Sequence, residues 1–245
     1  MLKSGLYEKI LTESLAKEIK ESISKKPELI PLDKTKAADV LSQYVQQTVK
    51  KALIELEDGD NLDRQLDLTN KVLRIINDDN SIMKPAKELI AVLDTTHQTN
   101  DRTILPRPET SLATSSLFTG AIHEPQLYSE LKKEILSSDK IEMLVSFVKW
   151  SGLRLIYDEL VTFTSQGGNL RIITTSYMGA TDSKAVSELV KLNNTEIKIS
   201  YDTKRTRLHA KAYLFYRNTG FNVAYIGSSN LSNVAISSGL EWNLK

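Results

Sequence analysis

The first half of the chain repeats its apolar residues every three or four positions, which is the spacing of one helical face. Residues 1–94 are therefore predicted to form an all-α N-terminal region, in which the apolar stripes are ordinary core. The predicted helices run from a Ser4 cap to near Pro27, from Asp33 or Thr35 to Gly59, from Asn61 to Ile76, and, as a shorter element, from Pro85 through Leu93.

Residues 95–120 lose this periodicity and gain Thr, Ser and Asn together with the breakers Pro106, Pro108 and Gly120. A loop of this length without structure is unusual inside one compact core. We therefore predict that 95–120 is an interdomain linker.

Eight of the ten glycines fall from Gly120 onward, where short apolar runs alternate with amphipathic stretches. Asn218-Thr219-Gly220 is good turn chemistry for a hairpin between the last two strands. Residues 121–245 are therefore expected to be an α/β domain, a mixed sheet flanked by helices. Strands are predicted at 141–148, 170–174, 197–199, 208–216 and 221–226, and helices at 127–136, 151–166 and 181–192.

Composition narrows the class of protein. The 245 residues include 32 Lys and Arg against 31 Asp and Glu, so any basic site must be local. There is no cysteine and there are only three histidines, which makes disulfides and a structural zinc site poor hypotheses. The sequence has no signal core and no apolar run near the length of a membrane span, and we expect a soluble cytoplasmic protein.

His209 and Lys211 stand two apart on one predicted strand. Side chains at this spacing share a face, so an imidazole and an ammonium group should project together. Taken alone, the pair is equally typical of a solvated strand face.

The next strand ends in Gly-Ser-Ser-Asn-Leu-Ser, residues 227–232. Main-chain N–H groups, hydroxyls and an amide at a strand-to-helix turn can form an anion cradle. Alternatively, Ser229 or Asn230 serves as the N-cap of a helix near 233–237, and the two roles are compatible. Further on, Glu241 can accept the Nδ1 proton of a histidine and leave Nε2 free to attack.

Together these residues resemble the signature of the phospholipase D superfamily: His209-x-Lys211, then Gly-Ser-x-Asn230, then Glu241. The resemblance covers about 120–245 and implies the mixed sheet of that fold. It is closest to a nuclease-like branch whose members stand alone as restriction-type nucleases or precede bacterial helicase-like ATPase domains. The segments that carry this are Ser146–Gly152, Arg171–Tyr177, Leu208–Lys211, Tyr225–Ser232 and Gly239–Asn243. The family's usual aspartate, five residues after the lysine, is replaced by Tyr216, which argues against a lipid hydrolase.

The resemblance implies a metal-independent phosphodiesterase with no cofactor. His209 would attack phosphorus and form a phosphohistidine, and Glu241 would orient its ring. The non-bridging oxygens would be held by Lys211 and Asn230, with Ser228 or Ser232 binding phosphate. A second imidazole must protonate the leaving group. Because neither His97 nor His123 is followed by a matching lysine, we expect a homodimer that shares one composite site.

A nucleic acid, DNA in preference, is the predicted substrate, because Lys204, Arg205 and Arg207 precede the site with only Asp202 against them. These charges alone also fit a solvated loop. The aromatic residues Tyr177, Tyr201 and Trp150 can stack on bases or pack in the fold, and packing is favoured.

The alternative is a non-catalytic nucleic-acid-binding or dimerisation module of a helicase-like protein. A lipid phosphatidyl hydrolase would need apolar membrane-binding loops, and the sequence shows none. Residues 239–243 alternate like a further strand, and the chain stops in what looks like the middle of it, at Lys245. The domain is therefore expected to be truncated at its C-terminal end, with a helicase or ATPase region following in the parent chain.

Overall fold

The structure is a computed structural model, and it describes residues 9–21, 27–57, 62–76, 81–92, 106–202, 204 and 208–245. The chain divides into two compact units, Met1–Val92 and Leu93–Lys245. Among the described residues, no helix is both long and apolar enough to cross a bilayer.

The described residues of the first unit form three helices. A side-chain hydrogen bond from Gln65 Nε2 to the Leu53 carbonyl (2.9 Å) joins the second to the third, and Leu66 is buried. Three of the four helices predicted from the sequence are therefore present here, although Ser4 lies outside the described residues. Their bounds are α1 Glu13–Glu21, α2 Ala37–Glu55 and α3 Leu62–Ile75.

The fourth helix, predicted from Pro85, is wrong, because 81–92 contain no helix. Asn70 of α3 holds the Ile82 main chain at both its N–H (2.8 Å) and its carbonyl (3.2 Å). Beyond this anchor Leu89 is largely exposed, so the apolar run lacks the packing that a short helix needs.

The second unit is a seven-stranded mixed sheet that packs against helices, which confirms the α/β prediction. The strand order is β1-β7-β6-β5-β2-β3-β4, with β2, β3 and β4 parallel and the remaining pairs antiparallel. The bounds are β1 Leu117–Phe118, α4 Leu127–Leu136, β2 Lys140–Val145, α5 Trp150–Leu153, α6 Tyr157–Ser165, β3 Asn169–Thr175, α7 Ser183–Val190, β4 Thr195–Ser200, β5 Lys211–Tyr216, β6 Val223–Gly227 and β7 Asn243–Leu244.

Alternation along the strands explains the core of this unit. In β2, β5 and β6 every second side chain is buried, and these side chains pack with apolar residues of α4, α6 and α7. The β5–β6 hairpin has the predicted turn, in which Gly220 takes a left-handed φ of 86° that glycine accepts without strain.

Part of the predicted linker belongs to the second unit. Residues 106–118 pack on it, because the buried carboxylate of Glu130 in α4 accepts hydrogen bonds from the Glu109 N–H and from both the N–H and the hydroxyl of Thr110. Further along the same segment, β1 pairs with β7. Polar residues that suggest a linker in the sequence are here partners of a buried charge.

Candidate active site

The site lies where three strand ends meet. Beyond the last pair of β2 and β5, the chain that follows β2 turns toward the chain that follows β6, and the Lys149 N–H donates to the Leu231 carbonyl (2.8 Å). Strand β5 begins at Lys211, and His209 lies just before it, exposed, rather than inside a strand as the sequence predicts.

His209 and Lys211 are nevertheless in direct contact. Lys211 Nζ lies 3.1 Å from His209 Nε2 and donates to the His209 carbonyl at 2.8 Å. Because an ammonium group only donates, Nε2 must accept and the ring proton must sit on Nδ1. The lone pair of Nε2, the nitrogen predicted to attack, therefore faces the cation that is predicted to bind the phosphate.

Asn230 lies in the loop that follows β6. Ala212 pairs with Ile226 across β5 and β6, so Lys211 is close to the start of the 227–232 loop. The Phe147 N–H donates to Asn230 Oδ1 (3.2 Å). Because Oδ1 is the acceptor in this bond, the orientation of the Asn230 amide is determined, and Nδ2 remains as a donor. Lys211 and Asn230 are both more than nine-tenths buried.

The two predicted phosphate-binding serines differ in their surroundings. The Ser228 hydroxyl accepts from the Trp242 N–H (3.0 Å) and its own N–H donates to the Trp242 carbonyl (3.0 Å). The Ser228 hydroxyl itself donates to the Trp242 carbonyl (3.4 Å), and donation to a phosphate would replace this bond. Ser232 is half-buried, and its N–H donates to the Asn230 carbonyl (2.8 Å), which tightens the turn after Asn230.

The helix-cap interpretation of the loop is wrong. A short π-helical turn, Val234–Ser238, follows it and has no side-chain cap. Ser229 instead donates to the Ala235 carbonyl (3.0 Å), and Asn230 is held by Phe147.

Glu241 has no hydrogen bond to His209 among the described contacts. Burial raises the pKa of Tyr213, and the negative charge of Glu241 raises that pKa further. Tyr213 is two residues beyond Lys211 on the same face of β5. Glu241 lines a cleft of about 280 Å³ together with Ser237 and Gly239. The role predicted for Glu241 toward His209 therefore stays a prediction.

Tyr216 stands five residues after Lys211, where the sequence resemblance predicts an aspartate. It lies at the far end of β5, five residues or roughly 16 Å from Lys211. Its hydroxyl donates to Glu142 of β2 (3.1 Å). This position therefore supports the sheet and does not touch the group around His209.

The predicted nucleic-acid-binding residues are only partly described. Lys204 is exposed, whereas Arg205 and Arg207, like His97, lie outside the described residues. His123 is exposed. Trp150 packs edge-on against Tyr157 and beneath Lys184, as the packing alternative predicts, while Tyr201 is three-quarters exposed.

Sequence reasoning missed the residues that hold the 227–230 loop in place, namely Phe147, Tyr213, Ser229 and Asn243. Phe147 acts through its main chain, which leaves no sequence signal. Ser229 and Asn243 stand inside the motif segments, but their pairing depends on the register of β6 and β7. Within the described residues, no group of three or more His, Asp or Glu side chains could hold a metal ion.

Comparison with known proteins agrees with this geometry. Residues 131–245 match the family described as "Cardiolipin synthase, PLD-like domain". Among curated proteins, none matches the chain significantly.

Three solved structures that match part of the chain are the following. NucT from Helicobacter pylori is 19% identical with a TM-score of 0.41, and the match covers 54% of this chain and 83% of that one. Nuc from Salmonella typhimurium is 20% identical with a TM-score of 0.39, over 54% and 82% of the two chains. Yeast tyrosyl-DNA phosphodiesterase is 11% identical with a TM-score of 0.34, over 54% and 31%.

Proposed function

Because residues 131–245 match the family described as a PLD-like domain, we propose that the protein is a phosphodiesterase that cleaves nucleic acid through a covalent histidine intermediate. The observation that carries this proposal is the contact of His209 Nε2 with Lys211 Nζ at 3.1 Å, in which the His209 residue is exposed. An exposed imidazole in contact with a cation supports attack on the phosphorus of a diester.

In the first step Nε2 of His209 attacks phosphorus, an N–P bond forms, and the P–O bond to the leaving oxygen breaks. Lys211 must exchange its hydrogen bond with Nε2 for one with a non-bridging oxygen, which frees the lone pair as the substrate arrives. Asn230 Nδ2 donates to the second non-bridging oxygen, with Ser228 or Ser232 in support. Donors aimed at these oxygens stabilise the charge that grows in the transition state.

In the second step water attacks phosphorus, the N–P bond breaks and His209 is regenerated. A general acid must protonate the leaving oxygen in the first step, and the same group then deprotonates the water. In this scheme Glu241 orients the His209 ring by accepting a hydrogen bond from its Nδ1–H group.

The test is hydrolysis of plasmid DNA and of a chromogenic diester, bis(p-nitrophenyl) phosphate, in the presence of EDTA. We expect cleavage by the wild type, a loss of roughly 10⁴-fold or more in His209→Ala, and full activity in His123→Ala, which changes an exposed histidine elsewhere. Binding of DNA without cleavage by the wild type would overturn the proposal and favour the non-catalytic module.

The general acid in this proposal is the partner subunit's His209, across the two-fold axis of a homodimer. Support comes from the sequence, since no second histidine has a lysine two residues later.

Mixing of wild-type protein with His209→Ala tests this shared site. If each site needs two intact copies, equal amounts of wild type and His209→Ala leave about one quarter of the dimers intact. Activity at constant total protein should then fall to about a quarter. A fall to one half would mean independent sites and would contradict the shared site.

Nucleic acid is the proposed substrate because Lys204, Arg205 and Arg207 stand within five residues of His209 in the sequence. Cations at this spacing suit a phosphate backbone, with DNA in preference. Association with a helicase-like region and a cytoplasmic location rest on the sequence resemblance alone, and they stay predictions.

A further inference from the structure

Ser229 is fully buried in the loop that carries Asn230, and each of its polar groups is bound within the protein. Its N–H donates to Asn243 Oδ1 (3.4 Å), and its carbonyl accepts from the Tyr213 hydroxyl (3.1 Å). Its own hydroxyl donates to the Ala235 carbonyl (3.0 Å) and accepts from Asn243 Nδ2 (2.8 Å). A buried serine that is bound on all sides leaves the next residue, Asn230, little freedom to move.

Asn243 makes two of these four bonds with one side chain. It lies in β7, directly opposite Gly227 of β6, and it is buried. Gly227 permits this closeness, because a Cβ there would lie 2.1 Å from the Trp242 carbonyl oxygen and 2.6 Å from Asn243 Oδ1. The pairing of β6 with β7 therefore places the Asn243 amide next to the 227–232 loop.

The hydrogen bonds made by Asn243 require both the oxygen and the NH₂ group of its side-chain amide. Oδ1 must accept from the Ser229 N–H, and Nδ2 must donate to the Ser229 hydroxyl, whose own proton is committed to Ala235. A carboxylate would supply no donor, and an aliphatic side chain would supply neither group. A buried polar group that loses its partner is costly, so each such change should displace Ser229.

We infer that Asn243 is a positioning residue for the proposed phosphodiesterase, one that fixes Ser229 and thereby aims Asn230 Nδ2 at the phosphate. The inference rests on the proposed function. Asn230 is then held from two sides, since Phe147 fixes its Oδ1 and Asn243 fixes the main chain before it. Asn243 itself touches no reacting atom.

The experiment compares Asn243→Ala and Asn243→Asp with a matched control, Asn222→Ala. Asn222 also binds a main-chain N–H, that of Arg217 (2.8 Å), but at the opposite end of β5 and β6. We expect kcat on the chromogenic diester to fall about 100-fold in both Asn243 variants, the effect of a misplacement of about 1 Å. KM should change much less, and Asn222→Ala should keep its kcat. Unchanged kcat in folded Asn243→Ala overturns the inference.

Ser229→Ala provides a second variant should the Asn243 changes prevent folding. It removes the hydroxyl that Asn243 Nδ2 binds and adds no bulk. We expect kcat to fall in Ser229→Ala as well. Where both single variants fold, the fold-loss in kcat of the double variant should be smaller than the product of the two single losses, because the residues share a bond. Independent effects of the two changes would contradict the pairing.

A readout that needs no turnover separates this inference from the proposed function. The side-chain NH₂ signals of Asn230 in ¹⁵N-labelled protein, assigned by their loss in Asn230→Asp, should shift in Asn243→Ala and stay in place in Asn222→Ala. Wild-type protein that cleaves no diester would overturn the proposed function, and the NMR shift would then still decide the role of Asn243. Unmoved signals would overturn that role even in an active enzyme.

Discussion

Gly152 in α5 supports the other end of the loop that Asn243 holds. A Cβ at Gly152 would lie 2.5 Å from both the main-chain N and the Cα of Ser232. Contacts this short do not occur between real Cβ atoms and main chain, so only glycine lets α5 approach the loop so closely. The conformation of Asn230 therefore depends on α5 as well as on β7.

Gly152→Ala should consequently lower both stability and activity. Overpacking of a tight contact costs about 1–3 kcal/mol in the free energy of unfolding, and displacement of Ser232 should reduce cleavage of the diester. Urea unfolding and steady-state kinetics measure the two effects. Ser151→Ala, an exposed neighbour in the same helix, is the control and should match the wild type. A Gly152→Ala protein with wild-type stability and activity would show that the loop yields without consequence.

At the scale of single residues, the sequence identifies the proposed reactive groups better than the residues that hold them in place. His209, Lys211 and Asn230 are predicted because their residue types and spacing indicate phosphate chemistry, and the structure shows a direct contact between His209 and Lys211. Ser228 and Ser229 are chemically alike in the sequence. What separates them is the alternation at the end of β6, which buries Ser229 beneath Asn243 and leaves Ser228 exposed.

At the scale of elements, a helix whose bounds follow from a regular apolar period is predicted well. An element whose bounds depend on contacts with distant parts of the chain is not. Helix α4 has the predicted bounds of 127–136, because an amphipathic stripe of ten residues needs only a core to face. Strand β5 starts three residues later than predicted, at Lys211, where its pairing with Val145 of β2 begins. His209 therefore lies outside the strand, and it is exposed.

Helix 151–166 shows the same effect. The structure divides it into α5 and α6, with a break at 154–156. Asp182 accepts from the Trp150 N–H (2.9 Å) and pairs with Lys149 (3.1 Å), which fixes the start of α5 from the loop before α7. These hydrogen bonds lower the pKa of Asp182, that of the Trp150 N–H first. A long-range polar contact of this kind leaves no periodic trace in the sequence.

At the scale of the whole molecule, the second unit is joined by buried charge as well as by its apolar core. Glu134 of α4 pairs with both Arg217 and Lys245, and all three side chains are buried. Lys245 also donates to the Thr110 hydroxyl (2.8 Å). The segment 106–118, helix α4 and the end of the chain thus share one polar network. Composition alone predicts a linker for this segment, because it shows that the residues are polar but does not show which buried groups they bind.

Glu130 makes this network sensitive to pH. Burial by itself would raise the pKa of the Glu130 carboxyl, but the hydrogen bonds from the Thr110 hydroxyl, the Glu109 and Thr110 N–H groups and Lys133 together outweigh it and lower the pKa. A carboxyl with a lowered pKa in the folded state contributes its stabilisation above its unfolded pKa of about 4.3 and loses it as the pH falls through the folded value. The second unit should therefore lose stability in acid.

Glu130→Gln tests this origin. The amide keeps one acceptor oxygen but presents an NH₂ group to main-chain N–H donors, so at pH 7 we expect a loss of about 2 kcal/mol in the free energy of unfolding, typical of hydrogen bonds to a charged group. Urea unfolding from pH 7 to pH 3 should show the difference from wild type shrinking as the wild-type carboxyl becomes protonated. Glu55→Gln, at an exposed position on α2, should follow the wild-type curve. A constant difference between Glu130→Gln and wild type across this range would mean that the charge of Glu130 does not hold the segment in place.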